Sequence, residues 1–155
     1  MKIIFSLGSN LNNKEEILLS ATKEIELALD AKSFISRIFE TPPYGPQDQP
    51  NFYNIALEIE TSQNIEPEAL LHIAKEIENK LGRKRRYHWG PREIDIDIIF
   101  IDKLKYESKN LIIPHKEFRN RSFVLEPLKD LPSYSEYKSY FEIAELKHND
   151  ATPLK

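Results

Sequence analysis

Asp95 and Asp97 are separated by a single residue in the run Glu93-Ile94-Asp95-Ile96-Asp97-Ile98-Ile99-Phe100. On a strand the two carboxylates share one face and Ile94, Ile96 and Ile98 share the other. Two anionic groups then stand roughly 7 Å apart along the chain, in a residue class that strands usually exclude. Like charges so placed call for a cation between or beside them. Hard carboxylate oxygens suit Mg²⁺, which takes one or two carboxylates and fills its shell with water and substrate phosphates. Just upstream, Arg83, Lys84, Arg85, Arg86 and Arg92 bring the positive field that phosphates need. Carboxylates for a metal beside arginines for a polyphosphate imply phosphoryl transfer. Each half also has a plainer reading: the Asp pair as the wet face of an antiparallel sheet, the basic run as a solvated loop. Their adjacency favours a shared ligand.

Several elements must position this stretch. Lys2 to Leu7 reads as a first strand that ends at Gly8-Ser9-Asn10. Asn12 or Asn13 then caps a helix over 13–30, with Glu15 or Glu16 three residues on and Ile17, Leu18, Ala21, Ile25, Ala28 and Leu29 at helical spacing. Gly8 ahead of a helix invites a phosphate-loop reading, but no Lys-Ser/Thr pair follows, which excludes a Walker-type loop. A plain strand-to-helix turn is the simpler account of Gly8. Ser33 to Glu40 and Phe52 to Thr61 read as the second and third strands. Thr41 to Asn51 between them holds four prolines and one glycine, a loop stiff in pieces that cannot join a ladder and that serves either as a substrate cover or as a plain ordered connection. In the third strand Tyr53, Ile55, Leu57 and Ile59 face the core, which leaves Phe52 and Asn54 together on the second face. A ring beside an amide suits a flat heterocycle, and is equally what the outer face of a strand carries by chance.

Pro67 opens a second helix with Leu70, Ile73, Ala74, Ile77 and Leu81 as its apolar stripe, Gly82 as its end and His72 as a structural residue. Beyond the Asp95–Asp97 strand, Lys103 to Lys109 reads as a turn or hairpin. Leu111 to Ile113 reads as a short strand reaching Pro114-His115, and Asn120 as a helix start. One further helix is expected around Ser139 to Leu146. Strand–helix–strand–strand–helix–strand is the split βαβ order of a ferredoxin-like α+β sandwich: an antiparallel sheet with helices on one face and a free side for chemistry.

Composition sets the outer bounds. At 155 residues the chain has the size of one domain, taken as 1–155, and can bury about 70% of its unfolded surface. A formal net charge of -3 argues against a general nucleic-acid binder while leaving room for a local basic patch. With no cysteine there is no disulfide framework, thiol nucleophile or thiolate metal site. Lys2 to Phe5 is too short an apolar run for a signal peptide or a membrane span, so a cytoplasmic protein is expected.

A wider set of motifs resembles the 6-hydroxymethyl-7,8-dihydropterin pyrophosphokinase family of folate biosynthesis. They are Gly8-Ser9-Asn10-Leu11, Thr41-Pro42-Pro43, Gly45-Pro46-Gln47-Asp48-Gln49-Pro50, Asn54, Gly82-Arg83, Trp89-Gly90-Pro91-Arg92, Asp95-Ile96-Asp97, Pro114-His115 and Asn120-Arg121. Their order and spacing make the resemblance specific over most of the chain. It implies a ferredoxin-like fold and transfer of pyrophosphate from ATP to the pterin's hydroxymethyl oxygen, with release of AMP. It further implies two Mg²⁺ held by Asp95, Asp97 and the ATP phosphates, with Asp97 placed to assist deprotonation of the attacking hydroxyl.

By the same resemblance Arg83 and Arg92 neutralise charge as the α–β bridge breaks, while His115 and Arg121 bind phosphate oxygens. Trp89 belongs to a loop closing over the nucleotide. Phe52 and Phe123 stack on the pterin, Asn54 bonds its polar edge, and backbone around Thr41, Pro42 and Tyr44 assists. Phe52 stands where a Tyr is common in the family, and Tyr44 where a Leu is. Asn110 and Lys116 replace Arg and Tyr on the ATP side, so no role is carried over to them. An alternative from another class is a catalytically silent ferredoxin-like domain that uses its basic loop and aromatics to bind RNA or an anionic effector. The Asp pair discriminates, because an RNA-binding face has no use for two carboxylates beside its arginines. The expected partners are therefore small molecules, acting on a monomer, with no nucleic acid and no membrane.

Overall fold

Alternating apolar and small residues carry β1 (Lys2–Ser9) past the expected end at Leu7, so Gly8 lies inside the ladder and not in a turn. The computed structural model describes residues 1–11, 13–43, 49–83 and 93–154. α1 (Lys14–Leu29) buries Leu18, Ala21, Ile25 and Leu29, the expected stripe. The expected cap does not form at Asn13, whose side chain donates to the Glu16 carboxylate instead; Asn12 lies outside the described residues.

The second strand divides into β2 (Ser33–Ile35) and β3 (Phe39–Thr41). Side chains take over the ladder at the break. Ser36 Oγ accepts the Ala56 N–H at 2.8 Å, and the backbone N–H and guanidinium of Arg37 both bond the Asp130 carboxylate. β4 (Phe52–Glu60), α2 (Pro67–Lys80) and β5 (Asp95–Ile101) then follow as expected. β6 (Tyr106–Glu107) and β7 (Ile112–Ile113) pair as a small antiparallel hairpin. A 3₁₀ turn (Phe118–Asn120) leads into α3 (Ser122–Leu128) and α4 (Tyr134–Tyr140), and β8 (Thr152–Pro153) pairs with β3. The last helix thus ends where a helix over Ser139 to Leu146 was expected to begin. Glu142 at φ 53 turns the chain out of the helix, and α4 is placed by Tyr137, which stacks on the sheet.

The main sheet runs β5-β1-β4-β3-β8, with β2 beside β4, and every neighbouring pair is antiparallel. That is the ferredoxin-like order. One face packs Ile3, Phe5, Leu7, Ile55, Leu57, Ile59, Ile96 and Ile98 against α1 and α2. The opposite face is not wholly free, as the strand order alone suggested. Its far half is closed by the C-terminal segment around Ile4, Ala56 and Phe100. There Phe100 stacks on Tyr137 with ring centroids 4.5 Å apart and on Phe141 at 5.0 Å, burial worth about 1.5–3 kcal/mol per large side chain.

A bulge makes this division possible. Ile4 pairs with Phe100 while Phe5 pairs with Ile98, so Ile99 is an extra residue in β5. The carbonyl of Ile99 accepts the His115 N–H at 3.0 Å. One irregularity brings Phe100 onto the second core and ties His115 to the strand that carries the aspartates.

Candidate active site

Register assembles the site on the open half of the second face. Ser6 pairs with Asp97 on one side and Ala56 on the other; Gly8 pairs with Asp95 and Asn54. Asp95 and Asn54 therefore lie in one rung, two strand spacings or about 10 Å apart. On the next strand Phe39 pairs with Asn54 and Thr41 with Phe52. The parity expected for Phe52 with Asn54, and for Asp95 with Asp97, is the parity found.

The amide end is tightly built. Asn54 is 2% exposed, and its Nδ2 donates to Thr41 Oγ1 at 3.0 Å. Gly8 lies directly beneath: a Cβ there would stand 2.8 Å from Asn54 Oδ1 and 3.7 Å from the Phe52 ring. Gly8 is thus a steric requirement of the Asn54 position, a role its sequence context concealed. Asn10, buried at the end of β1, donates to Gln49 Oε1 at 2.9 Å and to the Pro50 carbonyl at 3.0 Å. That contact clips the proline-rich loop to the strand that carries Gly8. Pro42 is exposed beside buried Thr41 and Pro43. Phe123 is half-buried on α3, which packs on β3 and β4, and the Arg121 guanidinium lies 5.5 Å from its ring centroid.

At the carboxylate end α2 places Arg83. Gly82, at φ 90, donates its N–H to the Asn79 carbonyl, and Arg83 donates its own to the Glu78 carbonyl, the paired bonds of a Schellman cap. The side chain folds back over the same turn. Arg83 Nη1 sits 2.9 Å from Glu78 Oε2 and 3.0 Å from Asp95 Oδ1. Glu78 also accepts the Ile96 N–H at 2.7 Å, from the residue between the two aspartates. Glu78 has no assigned part in the sequence reading, yet the signal was there. It falls one turn after Ala74 in the stripe Leu70-Ala74-Ile77, so its carboxylate had to be buried and paired.

Burial, and next the charge of Asp95, raise the Asp97 carboxyl from its ordinary value to about 7. The same two causes raise Glu78. His115 moves the other way. Burial and then the Arg121 charge lower it to about 4, so the ring is neutral at pH 7. His115 Nδ1 accepts the Glu117 N–H at 3.1 Å, which puts the ring proton on Nε2 and leaves that nitrogen as a donor. Arg121 acts on both Asp97 and His115.

A cleft of about 240 Å³ runs along the outer edge of β5 and is lined by Leu71, Lys75, Asp97, Ile98, Leu111 and His115 among others. Asn110 and Lys116 also line it, which gives both residues a place at the site. His72 is not part of it; it is exposed on α2 and pairs with Glu76 one turn on. Tyr44, Trp89 and Arg92, like Lys84 to Arg86, lie outside the described residues. Among the described residues no three His, Cys, Asp or Glu side chains converge as a closed metal cage. Two raised or paired carboxylates of hard oxygen suit a divalent ion whose remaining ligands come from water and a phosphate. The donor set fits Mg²⁺. No helix among the described residues is long and apolar enough to cross a membrane.

Residues 4–133 match the family described as 7,8-dihydro-6-hydroxymethylpterin-pyrophosphokinase (HPPK). The 2-amino-4-hydroxy-6-hydroxymethyldihydropteridine pyrophosphokinase of Bacillus subtilis is 41% identical over 127 residues, covering 81% of this chain and 75% of that protein. The bifunctional protein FolKE of Lactococcus lactis is 40% identical over 142 residues, 89% of this chain but 39% of that longer protein. A crystal structure titled "HPPK-DHPS in complex with substrates" shares the fold with a TM-score of 0.63 at 15% identity, over 91% of this chain and 45% of that one. With its strand order, its Asp95–Asp97 pair and these relatives in agreement, the chain belongs to the 7,8-dihydro-6-hydroxymethylpterin-pyrophosphokinase family.

Proposed function

We propose that the chain transfers pyrophosphate from ATP to the hydroxymethyl oxygen of 6-hydroxymethyl-7,8-dihydropterin, giving the pterin diphosphate and AMP in folate biosynthesis, with Mg²⁺ as its cofactor. The observation that carries the reading is the single rung that sets Asp95 and Asn54 on one sheet face. A pterin bonded to Asn54 and stacked by Phe52 and Phe123 has its hydroxymethyl arm directed along that rung toward the carboxylates. Asp95 and Asp97 are the residues that would hold the magnesium ions that accompany ATP. When bound, these ions neutralise charge on the phosphates and make the hydroxyl easier to deprotonate.

The chain's own groups do the rest. Asp97 assists removal of the hydroxyl proton from its place on the same strand face as Asp95. Arg83, and Arg92 from outside the described residues, neutralise the charge that develops as the α–β bridge breaks. Neutral His115 donates from Nε2 to a phosphate oxygen, and Arg121 adds a full charge. Thr41, Pro42 and Tyr44 border the pterin, and Trp89 covers the nucleotide, whose base enters the cleft along β5. We place this activity in one domain over 1–155, as a cytoplasmic monomer.

The test is ATP-to-AMP conversion with and without the dihydropterin, and with and without Mg²⁺. AMP should form only when both are present, and Asp95→Asn should reduce its formation at least a hundredfold. Undiminished turnover in EDTA refutes the magnesium assignment.

A further inference from the structure

The carboxylate of Glu78 has a burial that packing alone does not explain. It is 2% exposed on a helix face otherwise filled by Leu70, Ala74 and Ile77, where an aliphatic side chain would serve the core better. Its oxygens are fully engaged on the site side. Oε2 takes the Ile96 N–H at 2.7 Å and Arg83 Nη1 at 2.9 Å, while Oε1 lies 3.5 Å from Lys75 Nζ. The same Arg83 nitrogen reaches Asp95 at 3.0 Å, so one guanidinium is shared between Asp95 and Glu78.

We propose that Glu78 is a positioning residue for the transfer: one carboxylate sets the aspartate-bearing end of β5 and keeps Arg83 at the site when Asp95 turns to a divalent cation. This rests on the reading of Asp95 and Asp97 as the magnesium ligands. A cation and a guanidinium compete for the Asp95 oxygens. Without a second anchor, Arg83 either blocks the cation or is displaced by it from the site. Glu78 removes that choice. The guanidinium gives up one partner, retains the other, and stays within reach of the phosphates it must neutralise. The Ile96 bond serves the same end from the strand side, because Ile96 separates the two metal-binding carboxylates.

Glu78→Gln separates the two duties, since its amide oxygen still accepts the Ile96 N–H while the charge that shares Arg83 is gone. Mn²⁺ titrated into nucleotide-free protein and followed by electron paramagnetic resonance should bind about fivefold more weakly in this variant. Turnover should fall about tenfold with KM for the dihydropterin within twofold of the parent. Arg83→Gln, which removes the competing guanidinium from Asp95, should instead tighten Mn²⁺ binding at least twofold. In that background Glu78→Gln should cost less than a further twofold in either measurement. A residue that merely supports the fold lowers the unfolding temperature in both backgrounds and leaves Mn²⁺ affinity alone.

The proposal is overturned if Glu78→Gln binds Mn²⁺ and turns over within twofold of the parent, or if its losses add in full to those of Arg83→Gln. It also falls, together with the magnesium assignment, if Asp95→Asn and Asp97→Asn leave Mn²⁺ binding intact. Weakened binding in those two with none in Glu78→Gln removes this inference alone.

Discussion

Replacing Asp97 by Asn should make the metal-free protein more stable while destroying its activity. Burial, with Asp95 beside it, raises the Asp97 carboxyl from 3.8 to about 7. An acid whose pKa is raised by folding holds its proton more tightly in the folded state. It therefore opposes folding as pH climbs from about 4 to 7, and fully above that. At about 1.4 kcal/mol per pH unit the ceiling is ~4 kcal/mol. Asp97 keeps some solvent contact, and an Asn amide must find its own hydrogen bonds, so the net gain at pH 8 is about 1–2 kcal/mol. For a chain of this size that is a rise of about 3–6 °C in Tm. Calorimetry in EDTA from pH 8 to pH 4 measures it: the variant should unfold later at pH 8, and the gap should close toward pH 4. Mg²⁺ with ATP should then raise the parent's Tm more than the variant's. A parent as stable as the variant at pH 8, or a gap indifferent to pH, refutes the argument.

Gly8→Ala drives a Cβ onto Asn54 Oδ1 and breaks the bond to Thr41, with a cost of about 1–3 kcal/mol for the displaced buried amide. Calorimetry should show the lower Tm, and dihydropterin affinity should fall at least tenfold while ATP affinity stays within twofold. Phe123→Ala should weaken dihydropterin binding about tenfold through lost stacking, with ATP binding little changed; equal loss for both ligands in calorimetric titration contradicts the placement. The His115 ring, lowered to about 4, should show its NMR titration well below pH 6. Its effect on stability has the opposite sign to that of Asp97. The unfolded chain takes up the proton first, so the folded state loses ground as pH falls from about 6.5 to 4.

Much of this arrangement was legible because it is local. The side-chain alternation of a strand places Asp95 with Asp97 and Phe52 with Asn54 whatever the rest of the chain does. Gly82 ends α2 by its own backbone freedom. What escaped depends on residues distant in sequence. The second strand is broken by Ser36 meeting Ala56 and Arg37 meeting Asp130, 93 residues on. Asn10 finds Gln49 across a loop, and Gly8 has its meaning only under Asn54. α4 sits where Phe100 offers a ring to stack on, not where its sequence pattern alone pointed. Glu78 is the instructive exception: a charge on an apolar stripe can be found from sequence, and a buried charge implies a partner.

Ile99 has a consequence for how this protein tolerates change. The extra residue resets the phase of β5, so the chemistry before it and the aromatic stack after it are read in two different frames. Because Phe5 already faces Ile98 and Ile4 already faces Phe100, removing Ile99 would leave a regular ladder with the carboxylates and Phe100 still on one face; what it would cost is the Ile99 side chain in the second core and the carbonyl that holds His115. Substitutions on either side can accumulate separately, whereas loss of the bulged residue itself is felt at the site through His115, whose N–H it holds.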